Sequence, residues 1–281
     1  MYEHHWQLRR APFSTAIRLE SFFPAPSHQA ALNKLRFLLE QQHEGAIVVA
    51  PPGCGKTHLA EIAWQLMEEQ RGPVATVQYP LLSPAELVTD IAVKLGTETP
   101  GNLLDSSLGL DFVLRRLEAR LCELTAQHRP ALISIDDAHL IEDPRVFECL
   151  RLLLNLHRPG KSEFSLVLWG RPELISMLRR VHRLDERLSF ACVLLPLTES
   201  LTAEYVRHRL DAAGSQARIF TDEALQAVFE LSGGVPRQIN RLCEMALLVG
   251  FAERRLVLDR EQIEAVATEL PGRMESAARA A

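Results

Sequence analysis

Residues 50 to 57, Ala-Pro-Pro-Gly-Cys-Gly-Lys-Thr, put two glycines, a lysine and a hydroxyl into one short stretch. Gly53 and Gly55 let the backbone bend so that successive N–H groups converge on an anion. Lys56 adds a cation, and the Thr57 hydroxyl offers a hard oxygen of the kind Mg²⁺ prefers. The pattern is GxxxxGK[ST] with Ala50 in the place of the first glycine, a change that is tolerated if φ there stays negative. Loops of this spacing hold the phosphates of a nucleoside triphosphate. Pro52, Gly53, Cys54, Gly55, Lys56, Thr57 and His58 are therefore expected to line ATP, with Lys56 bridging the β- and γ-phosphates and Thr57 on Mg²⁺. Cys54 reads as a small residue at a variable loop position.

Two carboxylates form a second candidate group. Asp136 and Asp137 follow the apolar run Ala131-Leu132-Ile133-Ser134-Ile135, which is how a buried parallel strand with a metal-facing tip is written. Asp136 is expected to hold Mg²⁺ directly or through water, and Asp137 to polarise the attacking water.

The elements around these residues must be strand, then loop, then helix. Ile47-Val48-Val49 is short and β-branched, while Leu59, Ile62, Ala63, Leu66 and Met67 repeat at a helical period. Before the loop, an aromatic and proline-rich stretch leads to a helix from about Ser27 to Gln42, with Ser27 as its cap. After it, strands are expected over Val74–Gln78, Ala131–Ile135, Phe164–Trp169 and Ala191–Leu195. Helices are expected from Pro84 to Leu95, Leu108 to Gln127 and Pro144 to His157, with a further helix to Arg180 after the stretch Gly170-Arg171-Pro172-Glu173-Leu174. Gly96 to Asp105 reads as a loop. Strands alternating with helices predict a doubly wound parallel sheet, with ligands at the carboxyl ends of its strands.

From Thr198 the pattern holds helices only. They run from Glu199 to Ala213, from Asp222 to Leu231 behind a Thr221 cap, from Pro236, and from Arg260 to Leu270, where Asp259 and Gln262 have capping-box spacing. The sequence thus divides into an arm and helix over 1–45, a nucleotide-binding domain over 46–197, a helical lid over 198–272 and a frayed tail over 273–281.

With 281 residues and 47% hydrophobic composition the chain can bury a sizeable core. A net charge of −5 and a pI near 6.1 supply no global basic field for nucleic acid, although a local patch is compatible with them. The five cysteines have no CxxC pair and no zinc spacing, the pattern of reduced thiols in cytoplasm. No apolar run approaches the roughly 18 residues that span a bilayer, and no signal peptide is expected from the start Met1-Tyr2-Glu3-His4-His5-Trp6.

Further stretches are "HWQLRRAPF", "ALISIDDAHL", "LRLLLNL", "LVLWGRPEL", "LDERL" and "LSGGVPRQIN". Together with the loop they resemble the AAA+ ATPases, specifically the ExeA/GspA-like group of secretion and pilus systems, which is similar to the transposition ATPases TnsC and TniB. The resemblance implies an α/β P-loop NTPase fold of the AAA+ kind, with a five-stranded parallel sheet and a C-terminal all-α lid. It further implies that Arg237 is the sensor-2 arginine, reaching the γ-phosphate from the lid, and that Arg187 is an arginine finger offered to a neighbouring subunit's nucleotide. Such a finger can be worth about 10³ to 10⁵ in rate, so hydrolysis is expected to need a homo-oligomer, a ring or a helical filament.

Three positions depart from that group. Asp137 stands where it has Glu, and His139 and Arg171 stand where it has glutamines. A carboxylate withdrawn by one methylene predicts slow basal hydrolysis. The group's best-known members add a membrane span and a peptidoglycan-binding domain, neither of which is expected in this chain. The implied function is ATP-driven assembly or remodelling of a client protein. Two alternatives stay open: a DNA-associated target selector of the transposition type, and a slow nucleotide switch.

Overall fold

The computed structural model describes residues 1–16, 18–68, 72–97, 110–156, 163–180, 184–215 and 217–270. The tail 273–281, most of the expected loop 96–105 and the first residues of the helix expected from Leu108 lie outside them. The chain forms two compact units. One comprises Pro26–Pro52 and Lys56–Leu194, the other Met1–Ala25, Gly53–Gly55 and the chain from Leu195 onward.

The first unit is built on a five-stranded sheet in the order β2-β3-β4-β1-β5, with every pair parallel. Its strands are β1 (Gly45–Val49), β2 (Val74–Val77), β3 (Ala131–Ile135), β4 (Phe164–Gly170) and β5 (Phe190–Val193). β1, β3 and β4 are buried at every residue, because helices cover both faces of a parallel sheet and a continuous apolar run is then the stable composition. The edge strands β2 and β5 are only partly buried. β5 is shorter than the expected 191–195 because its partner β1 ends at Val49, opposite Val193. Beyond that register Leu195 is 57% exposed.

The helices of this unit are α1 (Pro26–Glu40), α2 (Lys56–Leu66), α3 (Pro84–Lys94), α4 (Leu110–Ala126), α5 (Pro144–Leu153), α6 (Glu173–Arg180) and α7 (Leu184–Arg187). α1 begins at Pro26, so Ser27 lies in its first turn and is not its cap. α3 opens on a capping box in which the Ser83 hydroxyl accepts from Glu86 N–H and the Glu86 carboxylate from Ser83 N–H. After Leu153 the expected helix tightens into a 3-10 turn over Leu154–Leu156. Ile133, Ile135, Leu166, Leu168, Leu87, Ile91, Phe147 and Leu150 belong to one continuous core, each worth roughly 1.5–3 kcal/mol on burial. Trp169, wholly buried, donates to Ser134 Oγ at 3.0 Å, which satisfies both polar groups inside the sheet layer.

The second unit packs α8 (Glu199–Ala212), α9 (Asp222–Ser232), α10 (Pro236–Ala252) and α11 (Arg260–Glu269) around its own core. Thr221 caps α9 through Ala224 N–H, and Asp259 with Gln262 forms a capping box on α11. The expected arm 1–45 divides at Ala25, because its aromatic half has partners among these helices. Trp6, Leu8 and Phe13 are buried there, and Trp6 Nε1 donates to Leu247 O at 2.9 Å. Arg209, 5% exposed, fastens the arm by donating to Pro12 O at 2.6 Å and to Ser14 O at 2.8 Å.

Candidate functional site

In the sheet unit the candidate residues gather at the carboxyl ends of β1, β3 and β4. β1 turns out of the sheet at Ala50, whose N–H donates to Gly170 O at 3.1 Å. Ala50 is wholly buried and has no positive φ, so its Cβ is accommodated. Lys56 opens α2, is 8% exposed and extends Nζ to Ala50 O at 3.1 Å. The next residue, Thr57, donates its hydroxyl to Asp136 Oδ2 at 2.6 Å. The other oxygen of Asp136 accepts from Asp137 N–H at 2.8 Å, so the carboxylate is fixed from both sides. Pro52 and Thr57 are exposed, while His58 is half-buried.

Asp137 takes φ 45° and ψ 37°, a left-handed conformation that Asp adopts more readily than most residues. The turn reverses the chain after β3 and leaves the Asp137 side chain 50% exposed. A 3-10 turn follows over Ala138–Leu140, with Leu140 N–H donating to Asp137 O at 2.8 Å. His139 in that turn is 9% exposed, and its Nδ1 lies 3.8 Å from Asp137 Oδ1. Burial holds the imidazole below its ordinary pKa; Asp137 opposes this, Arg171 and Lys56 reinforce it, and Glu173 opposes it. The ring therefore shares one electrostatic environment with Lys56, Asp137 and Arg171. Arg171 itself is exposed, in the turn between β4 and α6.

In the helical unit, Gly53 and Gly55 both take φ 85°, a conformation that favours glycine. Arg237, in the first turn of α10, donates its backbone N–H to Gly53 O at 3.2 Å. A Cβ at Gly53 would meet Val235 Cγ1 at 2.9 Å and Arg237 Cβ at 3.0 Å. Cys54 is wholly buried. The turn before α10 depends on Gly234, at φ 72°, where a Cβ would run into the Leu197 backbone.

Arg187 is not brought to this group. It sits on the amino-end side of β1, donating to Glu44 Oε1 at 2.8 Å and to Asn155 Oδ1 at 2.6 Å. Glu44 directly precedes β1 and the loop follows it, so a five-residue strand of about 16 Å separates the two.

The residues present fit a magnesium nucleotide. Thr57 Oγ1 and Asp136 Oδ2 are two adjacent hard oxygens, and Mg²⁺ usually takes one or two protein oxygens beside phosphate and water. Among the described residues no group of three or more His, Cys, Asp or Glu forms a self-contained metal site. Two features were not readable from spacing: the left-handed turn at Asp137, and the burial of His139 toward it.

An AAA domain model matches residues 39–178. General secretion pathway protein A of Aeromonas hydrophila is 31% identical over 275 residues, which cover 97% of this chain and 49% of that protein. The chain thus spans about half the length of this curated relative. Among solved structures, the ORC2 protein of Aeropyrum pernix superposes with a TM-score of 0.69 at 17% identity, covering 92% of this chain and 71% of that one. The RuvB Holliday junction branch migration motor of Thermotoga maritima gives a TM-score of 0.60 at 17% identity, covering 92% and 72%. At such identities these two likenesses show the fold. Taken with the parallel sheet and its loop, the matches place the chain in the AAA+ family, in a group like General secretion pathway protein A.

Proposed function

We propose that this chain is a magnesium-dependent ATPase that works as a homo-oligomer on a client protein. The observation that carries the reading is the arrangement at the end of β1: Lys56 Nζ held at Ala50 O, and the Thr57 hydroxyl held on a carboxylate fixed by its neighbour's N–H.

In this reading the N–H groups of residues 53–57 bind the phosphates, and Lys56 offsets the charge of the β- and γ-oxygens. Thr57 and Asp136 would hold Mg²⁺, which when bound supplies further neutralisation of phosphate charge. Asp137 accepts a hydrogen bond from a water oriented toward the γ-phosphorus. The water oxygen bonds to phosphorus as the bond to the ADP oxygen breaks, and the water's protons leave with the phosphate and Asp137. Arg237 reads the γ-phosphate, and Arg187 serves the nucleotide of an adjacent copy.

All five cysteines are free thiols, and among the described residues no helix is long and apolar enough to cross a membrane. The reduced thiols support the cytoplasmic setting included in the proposal. Assembly or remodelling of a partner is favoured by the likeness to General secretion pathway protein A, and the client's identity is part of what must be tested.

Calorimetry with Mg-ATP on the wild type and Lys56→Ala, followed by hydrolysis measured over a range of protein concentrations, tests the reading. Magnesium-dependent uptake lost in the variant, with turnover per subunit rising with concentration, is expected. Uptake that survives Lys56→Ala would overturn the nucleotide site. Turnover independent of concentration would overturn the shared one.

A further inference from the structure

His139 carries a polar atom that the fold buries without satisfying. Its Nδ1 has no hydrogen-bond partner, although buried ring nitrogens normally find one. The nearby acceptor is Asp137 Oδ1, at 3.8 Å. That gap is about 1 Å longer than an N–H···O hydrogen bond, and the two sides of it differ in exposure. The His139 side chain is 9% exposed and sits in the Ala138–Leu140 turn, whereas the Asp137 side chain is 50% exposed. An enclosed ring nitrogen thus faces a more exposed acid across a gap about 1 Å too long for a hydrogen bond.

The surrounding charges determine which nitrogen carries the proton. Burial, with Arg171 and Lys56, keeps the ring neutral against the opposing pull of Asp137 and Glu173. A neutral imidazole has a single N–H. A bare lone pair on Nδ1 would face the Asp137 carboxylate with like polarity, so the N–H belongs on Nδ1. Hydrogen bonds around a catalytic acid are commonly long without substrate and tighten in the complex.

The geometry points to His139 as the positioning residue of Asp137: its Nδ1–H captures one carboxylate oxygen when the acid turns toward the attacking water, and so fixes the direction of the other oxygen. This rests on the ATPase reading above and deepens it. His139 touches neither phosphate nor water in this role. It acts through Asp137, whose short side chain by itself leaves the carboxylate direction undetermined. A misplacement of about 1 Å at a reacting group can cost on the order of a hundredfold, which sets the size of the effect.

Three substitutions separate positioning from packing. Asn places its amide nitrogen near the Nδ1 position, Gln places its nitrogen near the Nε2 position, and Ala supplies neither. In single-turnover hydrolysis with the protein in excess over Mg-ATP and well above its Kd, His139→Ala is expected to fall about 10- to 100-fold while the Kd for Mg-ATP changes by less than about threefold. His139→Asn is expected to recover most of the rate, and His139→Gln to stay near the alanine variant. A wild-type rate in His139→Ala, or rescue by Gln equal to that by Asn, would overturn the proposal. A second measurement is independent of turnover: nitrogen NMR of the ring without nucleotide. The Nδ1–H tautomer is expected in the wild type and its loss in Asp137→Asn. An Nε2–H tautomer in the wild type would sink the positioning role even if ATP binds. Conversely, absence of Mg-ATP uptake would strike the ATPase reading while the tautomer still decided whether His139 addresses Asp137.

Discussion

Gly53→Ala separates the cost of backbone strain from the cost of crowding in the loop. Gly53 lies at φ 85°, where an L-residue costs about 1–2 kcal/mol. Its new Cβ would stand 2.9 Å from Val235 Cγ1 and 3.0 Å from Arg237 Cβ, well inside the carbon–carbon optimum, and such overpacking adds about 1–3 kcal/mol. The expected loss is therefore about 2–5 kcal/mol, set against a total stability of about 5–15. Gly233→Ala is the control. Gly233 also has a positive φ, 59°, but nothing lies within 4 Å of a Cβ there, so it should lose about 1–2 kcal/mol from strain alone. Urea titration followed by far-ultraviolet circular dichroism reads both variants. The comparison is then repeated with Mg-ATP at a hundred times its Kd, which should stabilise the wild type by about 2.7 kcal/mol and Gly53→Ala by much less. Equal losses in the two variants would refute the crowding argument. Full nucleotide stabilisation of Gly53→Ala would refute the role of Gly53 in the phosphate loop.

Three further outcomes are expected. Trp169→Phe strands the Ser134 hydroxyl, which is 1% exposed and now accepts from Trp169; it should cost about 1–3 kcal/mol, and adding Ser134→Ala should return part of this in urea unfolding, whereas additive losses would contradict it. Because burial keeps His139 below its ordinary 6.5, the unfolded chain takes the proton first, so the neutral ring's contribution to stability is complete above 6.5 and is lost as pH falls toward the folded value. His139→Asn should flatten that acid limb, and an unchanged slope would exclude it. Arg187→Ala breaks a partly exposed pair with Glu44 and should change stability by no more than about 1 kcal/mol while cutting hydrolysis at high protein concentration by about 10³ or more; the reverse pattern would make Arg187 a structural residue.

The central sheet was legible because burial on both faces leaves a strand no choice of composition: β1, β3 and β4 read as unbroken apolar runs. The edges were less so. β5 ends where β1 stops offering partners, a fact about the neighbouring strand and absent from residues 190–195 themselves. The arm divides at Ala25 for a related reason. Trp6 and Phe13 announce burial, but nothing in the local pattern says which core receives them, and it is the helical one.

In the candidate site the sequence supplied the residue types and the structure supplied their directions. Lys56, Thr57 and Asp136 could be grouped from spacing because strand ends in a parallel sheet converge by topology. Arg237 could not. Its backbone bond to Gly53 joins residues far apart in the chain, and family resemblance alone singled out Arg237, as a γ-phosphate sensor. Arg187 shows how a direction constrains a role. Paired with Glu44 at the amino-end side of β1, it lies about a strand's length, roughly 16 Å, from the loop that follows the same strand. No side-chain rotation covers that distance, so the part in hydrolysis proposed for it would have to be played at the nucleotide of another copy. Its present partners are one partly exposed carboxylate, Glu44, and the Asn155 amide oxygen, a modest hold, and a triphosphate with several charged oxygens would compete for the guanidinium. In the proposed oligomer, exchange of Glu44 for a neighbour's phosphate would couple assembly to activation of the arginine, and the concentration dependence of hydrolysis in Arg187→Ala tests that coupling.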